Sequence, residues 1–269
     1  MLEREPFIRL AAFAAILCLM AAWEWLAPRR PRALTRRRRW PANLAIVLLN
    51  TLVLRAVIPA GAVGFALLAQ TRGWGLLNQY AVPSWLSVAG GALLLDLAVY
   101  LQHVLFHAVP ALWRLHRMHH ADLDIDFTTG ARFHPLEIAL SMLVKLAVIG
   151  ALGISATAVL VFEVLLNATS MFNHANVRLP LRLDAVLRWL VVTPDMHRVH
   201  HSVERDETNS NLGFNLSVWD RTVGTYRSQP RAGHVSMTVG APDLRDEREC
   251  ARLQSMLLMP FRQARRRSH

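Results

Sequence analysis

Long apolar blocks separated by short charged stretches dominate the chain. Blocks 7–28, 41–69 and 83–107 each reach the length of about 20 mostly apolar residues that a helix needs to cross a bilayer. The first block runs directly into arginines and lacks a small-residue cleavage site, so we interpret it as a retained anchor and not as a signal peptide.

A fourth apolar block, 137–173, is too long for one upright helix. Gly150 and Gly153 lie near its middle, where a tight turn would divide it into two crossing helices; one strongly tilted helix is the alternative. The pattern therefore predicts an all-α integral membrane protein with about four transmembrane helices, the last two forming a hairpin. The polar stretches beyond residue 107 would form a histidine-rich helical cap on the cytosolic side.

Composition and charge exclude several classes of function. Hydrophobic residues make up 53% of the chain and charged residues 18%, which is the reverse of a disordered composition. The net charge of +11 equals the arginines of two clusters, 29–39 and 262–267, and both flank apolar blocks. This favours membrane lipids over nucleic acid as the partner. Cys18 and Cys250 lie far apart, so neither a disulfide framework nor a cysteine-based zinc module is available.

The arginines also predict an orientation. Seven of them lie in the loop 29–39, which the positive-inside rule places in the cytoplasm. Residues 70–82 would then form an external loop, and the third span would return inward. Arg55, within the second span, is expected to face the bundle or to snorkel towards a break at 59–61. A composition rich in Arg, Ala and Leu favours a bacterial inner membrane.

Ten of the twelve histidines lie between positions 103 and 201, at spacings that group them. Offsets of three and four place side chains on one helix face, about 5–6 Å apart at Cβ. A single histidine is usually a satisfied polar residue, but burying this many imidazoles with unpaired nitrogens is costly unless metal ions bind them. The clusters are His103 and His107; His116, His119 and His120; and His197, His200 and His201; His134 and His174 are two further candidates.

The number and type of these ligands favour two ions. A structural zinc needs four ligands, and all-nitrogen sites suit iron, zinc, copper or nickel. Two redox metals beside apolar helices indicate oxygen activation on a lipid chain. The alternative is a histidine-rich membrane metal transporter or metal-binding protein, which would place histidines along several spans at midplane depth. A zinc-dependent hydrolase is disfavoured because no His-Glu-x-x-His motif is present.

Four polar residues near the histidines are candidates to orient imidazoles, and Asn211 is one of them. Asp96 lies seven residues before His103, two helical turns away on the same face. It could accept a histidine N–H or pair with Arg55. Asn173 and Asn176 flank His174 and could act in the same way.

Other charged residues near the histidines are expected to face solvent or lipid. Three acids after the second cluster are predicted to be solvated in a loop, and three arginines among the clusters to contact lipid phosphates. Segment 181–192 has apolar residues at helical offsets and is predicted to lie along the membrane surface. The acids are Asp122, Asp124 and Asp126, and the arginines are Arg114, Arg117 and Arg198.

Taken in order, these motifs resemble those of the fatty acid hydroxylase/sterol desaturase superfamily of membrane di-iron oxygenases. Beyond the three histidine clusters, the resemblance rests on Phe-Thr-Thr-Gly-Ala-Arg-Phe-His-Pro at 127–135 and Asn-His-Ala-Asn at 173–176. A closing stretch at 211–225, which contains Trp219 and Asp220, is also similar to the end of the family's sequences. The resemblance divides the chain into N-terminal transmembrane helices with an Arg-rich cytosolic loop (1–91), a hydroxylase-like domain (92–228) and a basic C-terminal tail (229–269).

The resemblance also implies an activity and its cofactors. It implies two iron ions held by the cap, with zinc able to replace iron in isolated protein, and hydroxylation or desaturation of a lipid, sterol or other long hydrocarbon by dioxygen. Electrons would come from a separate electron-transfer protein. The ligands carried over are the eight clustered histidines, with His134 and His174 as further candidates. Some members have a third His-x-x-x-His, where this chain offers only His174 because position 170 is Ser170.

Overall fold

A computed structural model describes residues 2–262, and over that range the chain is helical, with three isolated β-bridges and no strand. The longer helices are α1 (Glu5–Leu26), α2 (Arg36–Val57), α3 (Gly61–Thr71), α4 (Ser84–Ala108), α5 (Pro110–His120), α6 (Pro135–Leu152) and α7 (Ala156–His174). The shorter ones are α8 (Leu181–Leu187), α9 (Pro194–His200), α10 (Arg205–Thr208), α11 (Val218–Val223), α12 (Gly233–Ser236), α13 (Glu247–Ala251) and α14 (Leu253–Leu258). Single 3₁₀ turns occur at Leu2–Arg4, Leu76–Gln79, Thr129–Ala131 and Met259–Phe261.

Five helical segments are long and apolar enough to cross a membrane, where the sequence predicted about four. They are Glu5–Leu26, Arg36–Gln79, Ser84–Ala108, Pro135–Leu152 and Ala156–His174. The fourth apolar block is divided into α6 and α7, as the hairpin interpretation required. Gly153 ends α6 in the left-handed conformation (φ 71°), which glycine adopts without a Cβ penalty.

The second span is interrupted after α2. Pro59 lacks a backbone N–H and disfavours helical geometry at Ile58, so α2 ends at Val57 and three residues separate it from the start of α3. The guanidinium of Arg55 donates to the Pro59 carbonyl oxygen at 3.3 Å and is exposed. The Arg55 side chain therefore extends to the helix break at 59–61, which is one of the two placements predicted for it.

The loops collect at two ends of the bundle. At one end, the turn after α3 lies against the α6–α7 turn so closely that a Cβ on Gly75 would be 2.1 Å from the Gly153 nitrogen. At the other end, the backbone N–H of Arg29 donates to the Asn176 carbonyl oxygen at 3.0 Å. We call the latter the cap end. The arginine-rich segment and the chain after α7 share it, whereas residues 70–82 lie at the opposite end.

Between these ends, α3, α4, α6 and α7 enclose the main apolar core. α3 and α4 both pack against α6 and α7. The largest buried side chains include Leu95 from α4, Ile149 from α6 and Phe162 from α7. The helix ends that lead into the cap therefore have a fixed spacing.

The three acids expected to be solvated are buried, which corrects that prediction. The guanidinium of Arg39, itself 0% exposed, donates to Asp122 at 2.7 Å and to Asp126 at 2.6 Å. Asp124 accepts the backbone N–H of Leu34 at 2.6 Å. Burial alone would raise the pKa of Asp122, but the nearby guanidiniums, chiefly that of Arg39, hold it at about 2. The arginine-rich segment thus docks on the cap as well as flanking a span.

The arginines predicted to contact lipid phosphates also bind within the protein. Arg198 pairs with Asp195, and Arg117 donates to the Met259 carbonyl oxygen. Arg114 donates to the carbonyl oxygen of Pro260 at 2.8 Å. For Arg114 and Arg117 the reason is that the chain after α12 folds back onto α5, whereas Arg198 pairs within its own helix, α9.

Much of the segment expected to be a basic tail is therefore helical. α13, α14 and the turn Met259–Phe261 pack on α2 and α5, where Met256 and Met259 contact Ile46 and Met118 in a second apolar core. Residues 263–269 of that segment lie outside the described residues.

The predicted interfacial segment is a short helix with an apolar exposed surface. α8 covers only part of 181–192, and the chain continues irregularly to α9. Leu181, Val186 and Trp189 are each about two-thirds or more exposed, at 74%, 68% and 69%. Such a surface would be covered if the segment lay in the membrane interface, as the sequence suggested.

A buried ion cluster links three of the spans. Glu163 on α7 is 3% exposed and contacts Lys145 Nζ on α6 at 2.6 Å and Arg9 Nη1 on α1 at 3.0 Å. Since α1 is otherwise mostly exposed to the surroundings of the bundle, this cluster is a principal polar attachment of its N-terminal half.

We expect Glu163→Gln to lower the free energy of unfolding by about 3 kcal/mol, because it leaves the mostly buried Lys145 without its anion and removes one of the two carboxylates that bind Arg9. Thermal unfolding of the whole chain in detergent micelles would measure the loss. The exposed change Glu204→Gln is the matched control and should stay within about 0.5 kcal/mol of the unaltered protein. Equal melting curves for the two variants would contradict the proposed attachment.

Candidate metal centre

Nine of the ten candidate histidines converge in two groups at the cap end. Within each group, one nitrogen from every ring lies within 4.8 Å of the others. All but His107 are buried. The five-histidine group is His103, His107, His116, His120 and His200; the four-histidine group is His119, His174, His197 and His201.

The helices explain how the two repeated His-x-x-His-His patterns serve both groups. On α5, His116 and His120 are four residues apart, lie on one face and join the five-histidine group, while His119 points to the other group. On α9 and at its end, His197 and His201 join the four-histidine group and His200 the other. Each pattern therefore supplies ligands to both sides, and the ends of α4 and α7 complete the groups.

Hydrogen bonds fix the tautomers in the five-histidine group. His103 Nδ1 lies 2.7 Å from the Leu212 carbonyl oxygen, which can only accept, so this nitrogen carries the proton. His116 Nδ1 lies 2.6 Å from a Glu137 carboxylate oxygen and is protonated for the same reason. The two Nε2 atoms are then lone-pair acceptors, yet they face each other at 3.0 Å. A metal cation between them would remove this repulsion.

The four-histidine group shows the same geometry around His174. His174 Nδ1 lies 2.7 Å from the Ser170 carbonyl oxygen, which leaves Nε2 as the acceptor. That Nε2 lies 3.1 Å from His119 Nε2 and 3.0 Å from His197 Nε2. The Nδ1 atoms of His119 and His197 are buried and have no hydrogen-bond partner.

Burial favours the neutral form of three imidazoles in the cap. Loss of solvent, followed by the neighbouring histidines, lowers the pKa of His119, His120 and His200 well below the usual value. Neutral imidazole is the form that binds metal ions. Facing lone pairs and buried nitrogens without partners, among them His200 Nε2, therefore fit a pair of nitrogen-liganded transition metals.

Two phenylalanines form an apolar wall against both groups. The Phe214 ring centroid lies 5.6 Å from that of His103 and 6.3 Å from that of His197. Phe133 stacks on His119 at 4.4 Å. The two rings present apolar surface to this side of the histidines.

His134, the tenth candidate, lies outside both groups. Its Nδ1 accepts the backbone N–H of Leu136 at the start of α6, and its Nε2 lies 3.1 Å from the Leu257 carbonyl oxygen. The structure thus places His134 at a helix N-cap that also contacts α14, where its two ring nitrogens are already engaged.

The polar candidates predicted to orient imidazoles bond elsewhere. Asp96 accepts the indole N–H of Trp219 at 2.8 Å. Asn173 donates to the Phe214 carbonyl oxygen at 2.9 Å, and Asn176 pairs with the backbone of Arg30. None of these hydrogen bonds reaches a histidine ring.

The groups that do orient histidines escaped sequence reasoning. Glu137 stands in the first turn of an apolar span, 21 residues from its partner His116, and no motif marks it. The remaining acceptors are mostly backbone carbonyls, which have no side-chain signature. A lone carboxylate at the cap end of a predicted span was the one available signal.

Comparison with known proteins agrees with this geometry. The model of the family described as "Fatty acid hydroxylase" matches residues 88–225, which contain all nine grouped histidines. The chain is 29% identical to the ornithine lipid hydroxylase of Rhizobium tropici over 160 residues, covering 58% of this chain and 46% of that protein. No solved structure matches the chain significantly.

Two further relatives are alkylglycerol monooxygenases. The one from Xenopus tropicalis is 27% identical over 147 residues, which cover 53% of this chain and 30% of that protein. The one from Homo sapiens is 29% identical over 138 residues, which cover 50% and 29%. The chain thus spans less than half the length of the curated relatives it matches.

We expect His200→Ala and His197→Ala each to reduce the number of tightly bound transition-metal ions by one, since each removes a ligand from a different group. Elemental analysis of detergent-purified protein would measure the number. His134→Ala, a matched change outside both groups, should leave it unaltered. Loss of an ion from His134→Ala would show that the ligand set differs from the two groups.

We also expect Glu137→Gln to weaken binding of one ion by about 10- to 100-fold, because the carboxylate that fixes His116 loses its charge while its shape is kept. Competition with a chromophoric zinc chelator would measure both affinities. Glu204→Gln is again the exposed control, and an equal effect of the two changes would rule out a specific role for Glu137.

Proposed function

The chain belongs to the fatty acid hydroxylase family, and from that premise we propose that it is a membrane-bound, metal-dependent oxidoreductase that hydroxylates the hydrocarbon part of a lipid. The observation that carries this proposal is the convergence of nine imidazoles from four helices into two adjoining groups. Packing does not require such an arrangement, and buried imidazoles with facing lone pairs are costly unless ions bind them.

Iron is the metal we propose, with one ion in each group. All-nitrogen ligand sets accept iron and zinc alike, so zinc could occupy the groups in isolated protein. When bound, two iron ions would supply the dioxygen activation that C–H hydroxylation needs. In the overall reaction a C–H bond, dioxygen, two electrons and two protons give a hydroxyl group and water, and a separate electron-transfer protein would deliver the electrons.

The protein's own residues would position the substrate and exclude water. Phe133 and Phe214 form an apolar wall across both groups, against which a hydrocarbon chain could lie. Holding one carbon close and in the right orientation lowers the barrier and selects the bond that reacts. Glu137 and the carbonyl oxygens of Leu212 and Ser170 would hold the imidazoles in the tautomers that ligation needs.

A membrane lipid is the substrate class that the relatives support. One relative is named for hydroxylating ornithine lipid and two for acting on alkylglycerols. Each of these two substrate classes contains a hydrocarbon chain. The histidines lie where α4 and α7 end, so an acyl or alkyl chain could reach them from the bilayer. Desaturation of the same chain is the closest variant of this chemistry.

Charge supports a cytoplasmic location for the centre. The segment 29–39, with seven arginines, is at the same end of the bundle as both histidine groups. Arginine-rich short loops remain on the cytoplasmic side of a membrane. We therefore propose a multi-pass protein, in a bacterial inner membrane, whose metal centre faces the cytoplasm.

A metal transporter fits these observations less well. A transport path needs ligands distributed across the membrane, whereas the two groups lie together at one end of the spans. The oxygenase and the transporter also differ in what dioxygen does, and the next experiment uses that difference.

We expect cells that produce the chain to contain a lipid with one additional oxygen atom, visible by mass spectrometry of extracted lipids. Growth under isotopically labelled dioxygen should place the label in that lipid, because the added oxygen comes from the gas. His119→Ala should abolish the product, while His134→Ala should retain it. If lipids are unchanged and cellular metal content depends on the chain, the transporter is favoured instead.

A further inference from the structure

The two histidine groups differ in how their outer nitrogens are held. In the five-histidine group, four of the five rings have Nδ1 beside an acceptor. In the four-histidine group, His174 has such a partner, whereas the Nδ1 atoms of His119 and His197 are buried without one. The first group is therefore more fully pre-oriented than the second.

Three of those four acceptors come from one short stretch of chain, 209–213. The Leu212 carbonyl oxygen lies 2.7 Å from His103 Nδ1, and the Ser210 carbonyl oxygen lies 2.9 Å from His200 Nδ1. The third acceptor is the Asn209 amide oxygen, 3.3 Å from His107 Nδ1. One loop thus orients ligands that belong to α4 and α9.

Asn211 holds the loop in the shape that makes this possible. It is the one non-glycine residue with positive φ (51°) among the described residues, a conformation that asparagine tolerates better than most side chains. Its side chain, 0% exposed, donates to the Met196 carbonyl oxygen at 2.9 Å. It also forms a two-way pair with the backbone of Arg227, with both distances 2.8 Å.

Asp220 fixes the following residues of the loop. Its carboxylate accepts the backbone N–H groups of Leu212 at 2.7 Å and Gly213 at 2.9 Å. A hydroxyl from Thr225 donates to the same carboxylate at 2.6 Å. The Leu212 carbonyl oxygen is therefore aimed at His103 by bonds on both sides of it.

We infer that the loop 209–213, held by Asn211, is the positioning element of the five-histidine group, so that this group binds its ion more tightly than the four-histidine group. The inference rests on the proposed two-metal function. A pre-oriented ligand set loses less freedom on binding, and partners outside the ligand shell typically change metal affinity by about 10- to 100-fold. Asn211 is thus a positioning residue, acting on the ion through three histidines.

Zinc titration of the metal-free whole chain in detergent micelles, with a chromophoric chelator as competitor, tests this. Two affinities should appear, and His200→Ala should remove the tighter one while His197→Ala removes the weaker. Asn211→Ala should weaken the tighter site about 10- to 100-fold and leave the weaker unchanged. Asn211→Gly, which tolerates the positive φ, should show a smaller loss.

Asn176→Ala is the matched control for a general loss of stability. Asn176 is also buried and forms the same two-way pair with one backbone residue, Arg30, at 3.1 and 2.9 Å, but it contacts no residue of 209–213 by hydrogen bonding. It should lower the melting temperature of the metal-free protein without weakening the tighter site. An equal weakening by both changes would show that the effect of Asn211 is not specific.

Two further results would overturn the inference. If the unaltered chain binds two zinc ions with equal affinity, or if Asn211→Ala weakens the site that His197→Ala removes, the loop does not set the difference between the groups. Both results leave the proposed hydroxylase function standing. A chain that binds no zinc and no iron would overturn that function together with the inference.

Discussion

Lone pairs on buried imidazole nitrogens, brought face to face, are the constraint on which the rest of this protein depends. His103 and His116 each have their outer nitrogen bound to an acceptor, so their inner nitrogens meet at 3.0 Å with no proton to share. His174 and its neighbours repeat the arrangement. Such a cluster is unfavourable alone and favourable around cations. The spans, the arginine-rich segment and the C-terminal helices can all be understood as the means of holding it together.

The cap achieves this with buried ion pairs and backbone contacts. Arg39 reaches from the first turn of α2 into the acid-rich loop after α5, where it binds Asp122 and Asp126. Arg132, also fully buried, donates to the carbonyl oxygen of Met118, the residue before His119. Removing one partner of a buried ion pair is strongly destabilising, whereas the intact pair is often no more stable than a well-packed apolar substitute. These contacts therefore act chiefly by fixing one arrangement of the cap. A site formed by two groups of ligands requires one fixed arrangement of the helices that carry them.

The separation in sequence between interacting residues decided which features of the structure could be predicted. Local spacing predicted the shared helix faces of the histidines, and Gly153 near the middle of an apolar block predicted the division of that block. Contacts distant in sequence could not be read in the same way. Arg39 and Asp122 are 83 positions apart, so three loop acids were interpreted as solvated when they are buried. His134 lies in a family motif yet sits at a helix N-cap, because motif position carries no information about side-chain direction.

The way in which the chain folds back on itself also sets an order of events during biosynthesis. Arg132 donates to the Cys250 carbonyl oxygen and Arg117 to that of Met259, so segments flanking the histidines of α5 are secured by residues made after every span and every ligand. A ribosome makes these residues after it has made the helices and histidines that precede them in the chain. The apolar helices are therefore complete before the cap can close around the histidines. Closure of the cap is then a folding step that follows the synthesis of all five apolar helices and all nine grouped histidines.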